Sequence, residues 1–241
     1  MTTPSPSTTN ALYHGTEYRN NGNSEVLGCI PDSVRRVLDI GCGAGDNARI
    51  LQARGCEVWG VTLSEREAES SRPFCHSVLV SNIEHEDLAA PLGSFDAIIC
   101  SHVMEHLVRP DLALVRLQKH LAPDGRIVIA VPNMANWRIR MRLLRGDWSR
   151  QKTGPFDRTH LQFWSHRTAP DMATGTGLVV QECRCVPTAV PIPLIRKLLP
   201  NSLKQFLDAR VGGIWPNLFG WQVVLILQRS PSAQATESSA D

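Results

Sequence analysis

Apolar positions along this chain fall into short continuous runs separated by stretches with helical periodicity. Runs at 36–40, 57–63, 77–80, 95–101, 126–131, 178–186 and 222–228 have strand length and few charges, as expected of strands buried on both faces. The stretches 48–54, 64–71 and 111–121 repeat apolar or small residues every three to four positions and predict helices; Pro123-Asp124-Gly125 is predicted to close the last of these. Strands joined through helices of this length require parallel crossovers. The pattern therefore predicts an α/β fold: a doubly wound, mostly parallel seven-stranded sheet with helices on both faces. Two segments break the rhythm. Residues 133–165 are rich in Trp and Arg, while 187–220 carry five prolines and two amphipathic patterns, 194–199 and 203–211. Both are read as insertions in one domain, 11–229, placed where lids form beyond the carboxyl ends of strands. The polar, proline-bearing tails 1–10 and 230–241 are expected to be disordered.

Composition narrows the class. A chain of 241 residues with 42% hydrophobic content can fill one substantial core. Its net charge of only +2 argues against a protein built mainly to coat nucleic acid. The seven cysteines are odd in number and form no Cys-x-x-Cys pair. They suit a reducing compartment better than a disulfide framework. With no signal-like apolar segment and no run of about 20 apolar residues, a cytoplasmic protein is expected.

The sharpest chemical signal is Val37-Leu38-Asp39-Ile40-Gly41-Cys42-Gly43-Ala44-Gly45, at the turn between the first strand and its helix. Glycines there admit positive φ and let a ligand touch bare backbone, and the next helix offers free N–H groups. A dinucleotide site would want glycine three positions after Gly43, where this chain has Asp46. An anion at that place opposes a pyrophosphate, so a dehydrogenase is disfavoured. Asp39 suits a ligand that carries an ammonium.

These residues resemble the first motif of class I S-adenosylmethionine-dependent methyltransferases, and the resemblance extends over about 35–186. Phe95-Asp96-Ala97-Ile98-Ile99, Glu105-His106-Leu107 and Leu121-Ala122-Pro123-Asp124-Gly125-Arg126 follow in the order that family shows; ubiquinone-pathway O-methyltransferases are the group most similar in kind. The resemblance implies a Rossmann-like fold and S-adenosyl-L-methionine as cofactor. It places Asp39, Gly41, Cys42 and Gly43 at the methionine end and Asn82 and Ile83 about the adenine. Ser101 and His102 fall beside the methyl group, and Thr62 and Leu63 at the end of the second strand. There the family usually has Asp or Glu, which grips both ribose hydroxyls; Thr62 resembles the cyclopropane-fatty-acid synthase branch. A neutral hydroxyl bond is worth about 1 kcal/mol against about 1.5–3 for a charged acceptor, so weaker cofactor binding is expected unless Ser64 or Glu65 compensates.

At the acceptor end, His102-Val103-Met104-Glu105-His106 matches the His-x-x-Glu-His pattern of some zinc peptidases, but it straddles a strand end instead of lying within a helix. Relatives with Glu-x-x-Glu-His resemble it, and some hold a divalent ion; His102 in place of the first Glu turns the set away from Mg²⁺. Glu105 and His106 are accordingly read as ordering the active-site turn, and no metal is expected. Phe156-Asp157-Arg158-Thr159-His160-Leu161-Gln162-Phe163 resembles an Asp-Arg-Thr-His-Leu-x-Phe segment of bacterial methyltransferases. His160 is the first candidate for general base, with His106 second and Asp157 or Glu105 orienting the imidazole. The absence of Asn/Asp-Pro-Pro-Tyr/Phe after strand four favours oxygen over planar amino acceptors. The expected partner is a small-molecule, glycan-linked or lipid-linked acceptor. Alternatives are RNA held by Arg138, Arg140, Arg142, Arg145, Arg150 and Lys152 with Trp137 and Trp148, and a non-catalytic cofactor-binding protein. For most of those arginines the reading is a solvated helix face, with Ile139 and Leu143 packed inward and one or two arginines touching substrate. Segment 190–210 is a candidate for peripheral membrane contact. Oligomeric state is left open.

Overall fold

The computed structural model describes residues 21–189 and 199–230. Seven strands form one sheet: β1 (Arg36–Ile40), β2 (Glu57–Thr62), β3 (Ser77–Val80), β4 (Phe95–Ser101), β5 (Leu121–Pro132), β6 (Leu178–Pro187) and β7 (Gly220–Arg229). Their spatial order is β3-β2-β1-β4-β5-β7-β6. The first five pair in parallel, and β7 lies antiparallel between β5 and β6. The chain reverses direction across the sheet at β1 and β4, and a doubly wound sheet opens its ligand crevice at that switch.

Alternation along the strands builds two cores. Leu38, Ile40, Ile98, Cys100, Ile127 and Ile129 face one way, against Ala113, Leu114 and Leu117 of α4 (Pro110–Leu117). Val37, Ala97, Ile99, Val128 and Ala130 face the other, against Ala48 and Leu51 of α2 (Asp46–Ala53) and Val26 and Leu27 of α1 (Ser24–Leu27). Each fully buried aliphatic side chain contributes about 1.5–3 kcal/mol to holding the layers together. Between β2 and β3 lies α3 (Glu65–Ser71), and α5 (Trp137–Leu144), α6 (Asn201–Ile214) and α7 (Pro216–Phe219) occupy the two insertions.

Two expectations are corrected in detail. Pro123-Asp124-Gly125 does not close a helix. The fourth helix ends at Leu117, a 3-10 turn covers Gln118–His120, and β5 begins at Leu121. A register irregularity between Phe95 and Ala97 absorbs the proline and glycine. Leu143 does not pack inward, being 38% exposed, whereas Ile139 is buried. The 194–198 part of the predicted amphipathic pattern 194–199 lies outside the described residues, as do the tails 1–20 and 231–241. No helix among the described residues is long and apolar enough to cross a membrane. In the second insertion, α6 leaves Phe206 and Ile214 exposed.

Candidate active site

The crevice at the carboxyl ends of β1, β2 and β4 is a cavity of about 730 Å³, within the range that holds a cofactor-sized ligand. The glycine loop forms its floor. Gly41, Gly43 and Gly45 take φ of +68°, +53° and +85°, a region costly for any residue with a Cβ. The N–H groups of Gly41 and Cys42 both donate to the Val61 carbonyl (2.8 and 3.0 Å), fixing the loop to β2. A Cβ on Gly41 would come within 2.6 Å of Val103 Cγ2. Gly41→Ala is therefore expected to destabilise the fold by about 2–4 kcal/mol, from left-handed backbone strain plus overpacking. Chemical denaturation checks this, and adding Val103→Ala should recover the steric part only.

Gly41, Cys42, Gly43, Thr62, Leu63, Asn82, Ile83, Ser101 and His102 all line this cavity, together with Glu105, His106, Asp157 and His160. Asp39 differs. Its side chain is 1% exposed and not part of the cavity wall, and neither carboxylate oxygen accepts a hydrogen bond among the described residues. Burial pushes its pKa up to about 8.

At the end of β2, Thr62 Oγ1 donates to Glu67 Oε2 (2.6 Å) and accepts from the Ser64 N–H (3.2 Å). The Ser64 hydroxyl caps α3 by accepting from the Glu67 N–H. Ser64-x-x-Glu67 is the pattern of a reciprocal capping box, but here the Thr62 hydroxyl stands between glutamate and backbone. Of the two expected compensating residues, Ser64 lines the cavity while capping α3, and Glu65 is exposed and outside the wall.

His102 leaves β4 at φ +58°, the sole non-glycine with positive φ among the described residues, and stacks on Trp221 at 6.1 Å. Its Nδ1 lies 3.1 Å from Glu105 Oε1 and its Nε2 2.8 Å from Gln222 Oε1. The second contact has a definite sense. Asn23 Oδ1 accepts the Val26 N–H at the start of α1, so the Asn23 amide cannot turn round. Its Nδ2 then donates to Gln222 Oε1 while Gln222 Nε2 donates back to Asn23 Oδ1 (both 3.2 Å). Gln222 thus presents oxygen to His102, and both imidazole nitrogens face acceptors. Burial opposes protonation of His102, but the hydrogen bond and charge of Glu105 outweigh it and raise the pKa above its ordinary value.

Facing this group is the loop that follows α5. The Glu105 carbonyl accepts the N–H groups of Leu161 and Gln162 (2.7 and 3.0 Å), which brings His160 onto the 3-10 turn Met104–His106. The rings of His106 and His160 meet edge-on at 4.8 Å. Burial holds the His106 pKa below its ordinary value, against the attraction of Glu105. His160 Nδ1 lies 3.2 Å from the Pro155 carbonyl, which can only accept. That nitrogen therefore carries the ring proton, and Nε2 keeps its lone pair. Asp157 does not orient the ring as expected: its Oδ1 accepts the Thr159 N–H and hydroxyl (2.8 and 2.6 Å), bracing the turn. Glu105, His106 and His160 each place one ligand atom within 4.8 Å of the others, and Glu105 Oε2 is buried with no hydrogen bond among the described residues. This set could hold a proton or a borderline divalent cation.

Most of the basic segment is solvent-exposed as expected, Arg138, Arg140 and Arg145 included, but two of its cations are tied down. Arg142 is not on a solvated face; it pairs with Asp147 at 2.7 Å and lies over the Phe156 ring at 4.5 Å. Arg150 Nη2 gathers the carbonyls of Asp157, Arg158 and His160 (3.0, 2.7 and 3.1 Å). Both staple the His160 loop, and none of the cations between 138 and 152 lines the cavity. Sequence reasoning missed Asn23, Glu67, Trp221 and Gln222. Only Glu67 carried a local signal, its capping-box spacing from Ser64.

Comparison with known proteins agrees with this geometry. The sequence model of a family described as a methyltransferase domain matches residues 16–182. A ubiquinone biosynthesis O-methyltransferase of Acinetobacter baylyi is 30% identical over 105 residues, 41% of this chain and 44% of the relative. One from Neisseria meningitidis serogroup A is 36% identical over 106 residues, again 41% and 44%. The alignments thus span under half the length of these relatives. In fold, the chain is similar to a SAM-dependent methyltransferase of Archaeoglobus fulgidus, with TM-score 0.62 and 20% identity over 86% of this chain and 92% of that one. With the glycine loop and the cavity it floors in place, these matches settle the family: the chain belongs to the class I S-adenosylmethionine-dependent methyltransferases.

Proposed function

We propose that this protein methylates an oxygen of a small-molecule, sugar or lipid-linked acceptor, with His160 as general base. The observation that carries the reading is that one cavity is walled by the glycine loop and by the Glu105–His106–His160 cluster. S-adenosylmethionine supplies, when bound, a methyl group already activated on a sulfonium. What remains for the protein is alignment and removal of the hydroxyl proton. His160 Nε2 takes that proton, and the Pro155 carbonyl holds the ring in the tautomer that can accept it. Glu105 lies buried beside both histidines. His102, in the same cavity wall, has both ring nitrogens engaged by Glu105 and Gln222 and so serves to hold this side of the site in place. The role named for the two relatives, O-methylation in ubiquinone biosynthesis, supports an oxygen acceptor.

A second reading is favoured by Glu105 Oε2, which is buried with no hydrogen bond among the described residues: Glu105, His106 and His160 would hold a divalent cation, which would lower the acceptor's pKa. One experiment tests both. Protein dialysed against EDTA is incubated with methyl-labelled S-adenosylmethionine and fractionated cell extract. The expected result is label in a small-molecule or lipid fraction, in a linkage stable to mild base, with EDTA reducing it less than twofold. Loss of transfer with EDTA and recovery with Zn²⁺ or Mn²⁺ would establish the metal reading. Label confined to RNA or protein, or none anywhere, would overturn the proposal.

A further inference from the structure

We propose that the first insertion docks this protein on an anionic lipid bilayer, with α5 and the loop after it lying in the headgroup layer. The starting point is a surface that is apolar and cationic at once. On α5, Met141, Leu143 and Leu144 are exposed, Leu144 by 78%, and beyond the helix Trp148, Leu161 and Phe163 are exposed as well. Single apolar groups in water are ordinary, but a contiguous patch rimmed by polar residues marks an interaction surface. The contact stands on this surface alone. Only the further step, that the acceptor is met at the membrane, rests on the proposed methylation of a lipid-linked acceptor.

Printed contacts join the patch together. Met141 and Leu144 share one face of α5, with Arg140 one helical turn before Leu144 and Arg145 one turn after Met141. From the same helix Arg142 lies 4.5 Å over the Phe156 ring, Phe156 meets Trp148 edge-on at 5.2 Å, and Trp148 meets Phe163 at 6.4 Å. Charge selects the partner. Residues 137–163 carry seven Lys or Arg against two acids, although the whole chain has a net charge of only +2. Of those acids, Asp147 pairs with Arg142 at 2.7 Å, and Asp157 is buried on Thr159. Arg138, Arg140, Arg145, Lys152 and Arg158 are exposed. Arginines beside Leu and Trp are the composition of a helix that lies in a bilayer surface, where apolar groups sink and cations meet lipid phosphates. A polynucleotide would use the arginines and Trp148, but it offers nothing to Leu144. The surface also borders the site, since Thr153, Gly154 and Pro155, in the loop between Lys152 and Phe156, line the cavity. Part of α6 falls in segment 190–210, which the sequence offers for such contact. It exposes Phe206, but α6 holds two cations against one acid and so presents the weaker charge.

Vesicle flotation tests the contact with the full chain and with neither cofactor nor acceptor added. Vesicles are phosphatidylcholine alone, or phosphatidylcholine with about one third phosphatidylglycerol. Wild type should bind the anionic vesicles about tenfold or more tightly than the neutral ones, and added salt should reduce the difference. Leu144→Glu, and separately Arg138→Glu with Arg145→Glu, should each lower binding to anionic vesicles by about tenfold or more. The control is Leu92→Glu, 69% exposed just before the amino end of β4 and so at the far edge of the sheet from the site; it should change binding by less than about twofold. Unchanged circular dichroism and melting temperature in each variant would show that the fold is kept. No binding to anionic vesicles, equal binding to neutral ones, or wild-type binding by Leu144→Glu would overturn the proposal. So would a loss seen in Phe206→Glu alone, which would move the contact to the second insertion. A wild type that ignores vesicles but shifts a single-stranded RNA oligonucleotide, with the shift lost in the double arginine variant, would give the surface to nucleic acid instead. Failure with vesicles leaves the oxygen-methylation reading standing. Vesicle binding together with label found only in water-soluble acceptors would keep the docking surface and remove the membrane-held acceptor.

Discussion

His160→Ala is expected to slow label transfer into the accepting fraction by about 10²–10⁴-fold, the usual worth of a positioned general base. Binding of S-adenosylhomocysteine should change by less than about twofold, since the loss is confined to the transition state. The arrangement makes the test specific. The loop is held by Arg150 on its carbonyls, by Asp157 on Thr159, and by the Glu105 carbonyl on Leu161 and Gln162. None of these contacts uses the His160 side chain, so truncating it should leave the backbone in place. The space vacated lies in the cavity wall, and added imidazole should restore part of the rate. A variant that keeps near wild-type transfer would remove His160 from the mechanism and promote His106. A variant that loses nucleoside binding in parallel would show that the ring is structural.

Asp39→Asn should stabilise the ligand-free protein at neutral and alkaline pH, by an amount that grows with pH. The Asp39 pKa is raised to about 8 by burial, while in the unfolded chain it returns to the ordinary carboxylate value. The folded state therefore holds its proton more tightly, and this group's contribution to stability is fully present below the unfolded pKa. It is lost progressively as pH rises towards about 8, where the folded carboxyl also ionises. The cost at pH 7 is on the order of 4 kcal/mol as an upper figure. Urea denaturation of both proteins at several pH values between 5 and 9 measures it. The variant should already be more stable by about 1.5 kcal/mol at pH 5, and the gap should widen towards pH 8 and level off above it. Parallel curves would mean that Asp39 meets a partner or solvent that neutralises its burial. A residue so costly to stability is a common signature of one kept for function.

The parallel half of the sheet was readable because its central strands, β1 and β4, are buried on both faces. Continuous apolar runs at β1, β2, β3 and β4 mark their bounds to within a residue. The start of β5 was not, since Pro-Asp-Gly ordinarily turns a chain and only the irregular pairing with β4 carries it onward. Site residues that belong to contiguous motifs, from Gly41 to His160, could be placed from sequence and do share one cavity. Those defined by distant partners could not. Asn23 and Gln222 stand 199 positions apart, and nothing local announces their paired amides. Arg142 read as a solvent-facing cation because the ring it covers lies in a loop whose path periodicity does not describe. Leu143 fitted a buried face, but the insertion offers nothing for it to pack against.

The insertion of β7 between β5 and β6 bears on how this molecule is made. Until 220–229 have left the ribosome, two strands translated earlier wait with bare edges, and His102 lacks both Gln222 and Trp221. The part of the crevice wall that Trp221 supplies is therefore completed only once β7 has docked.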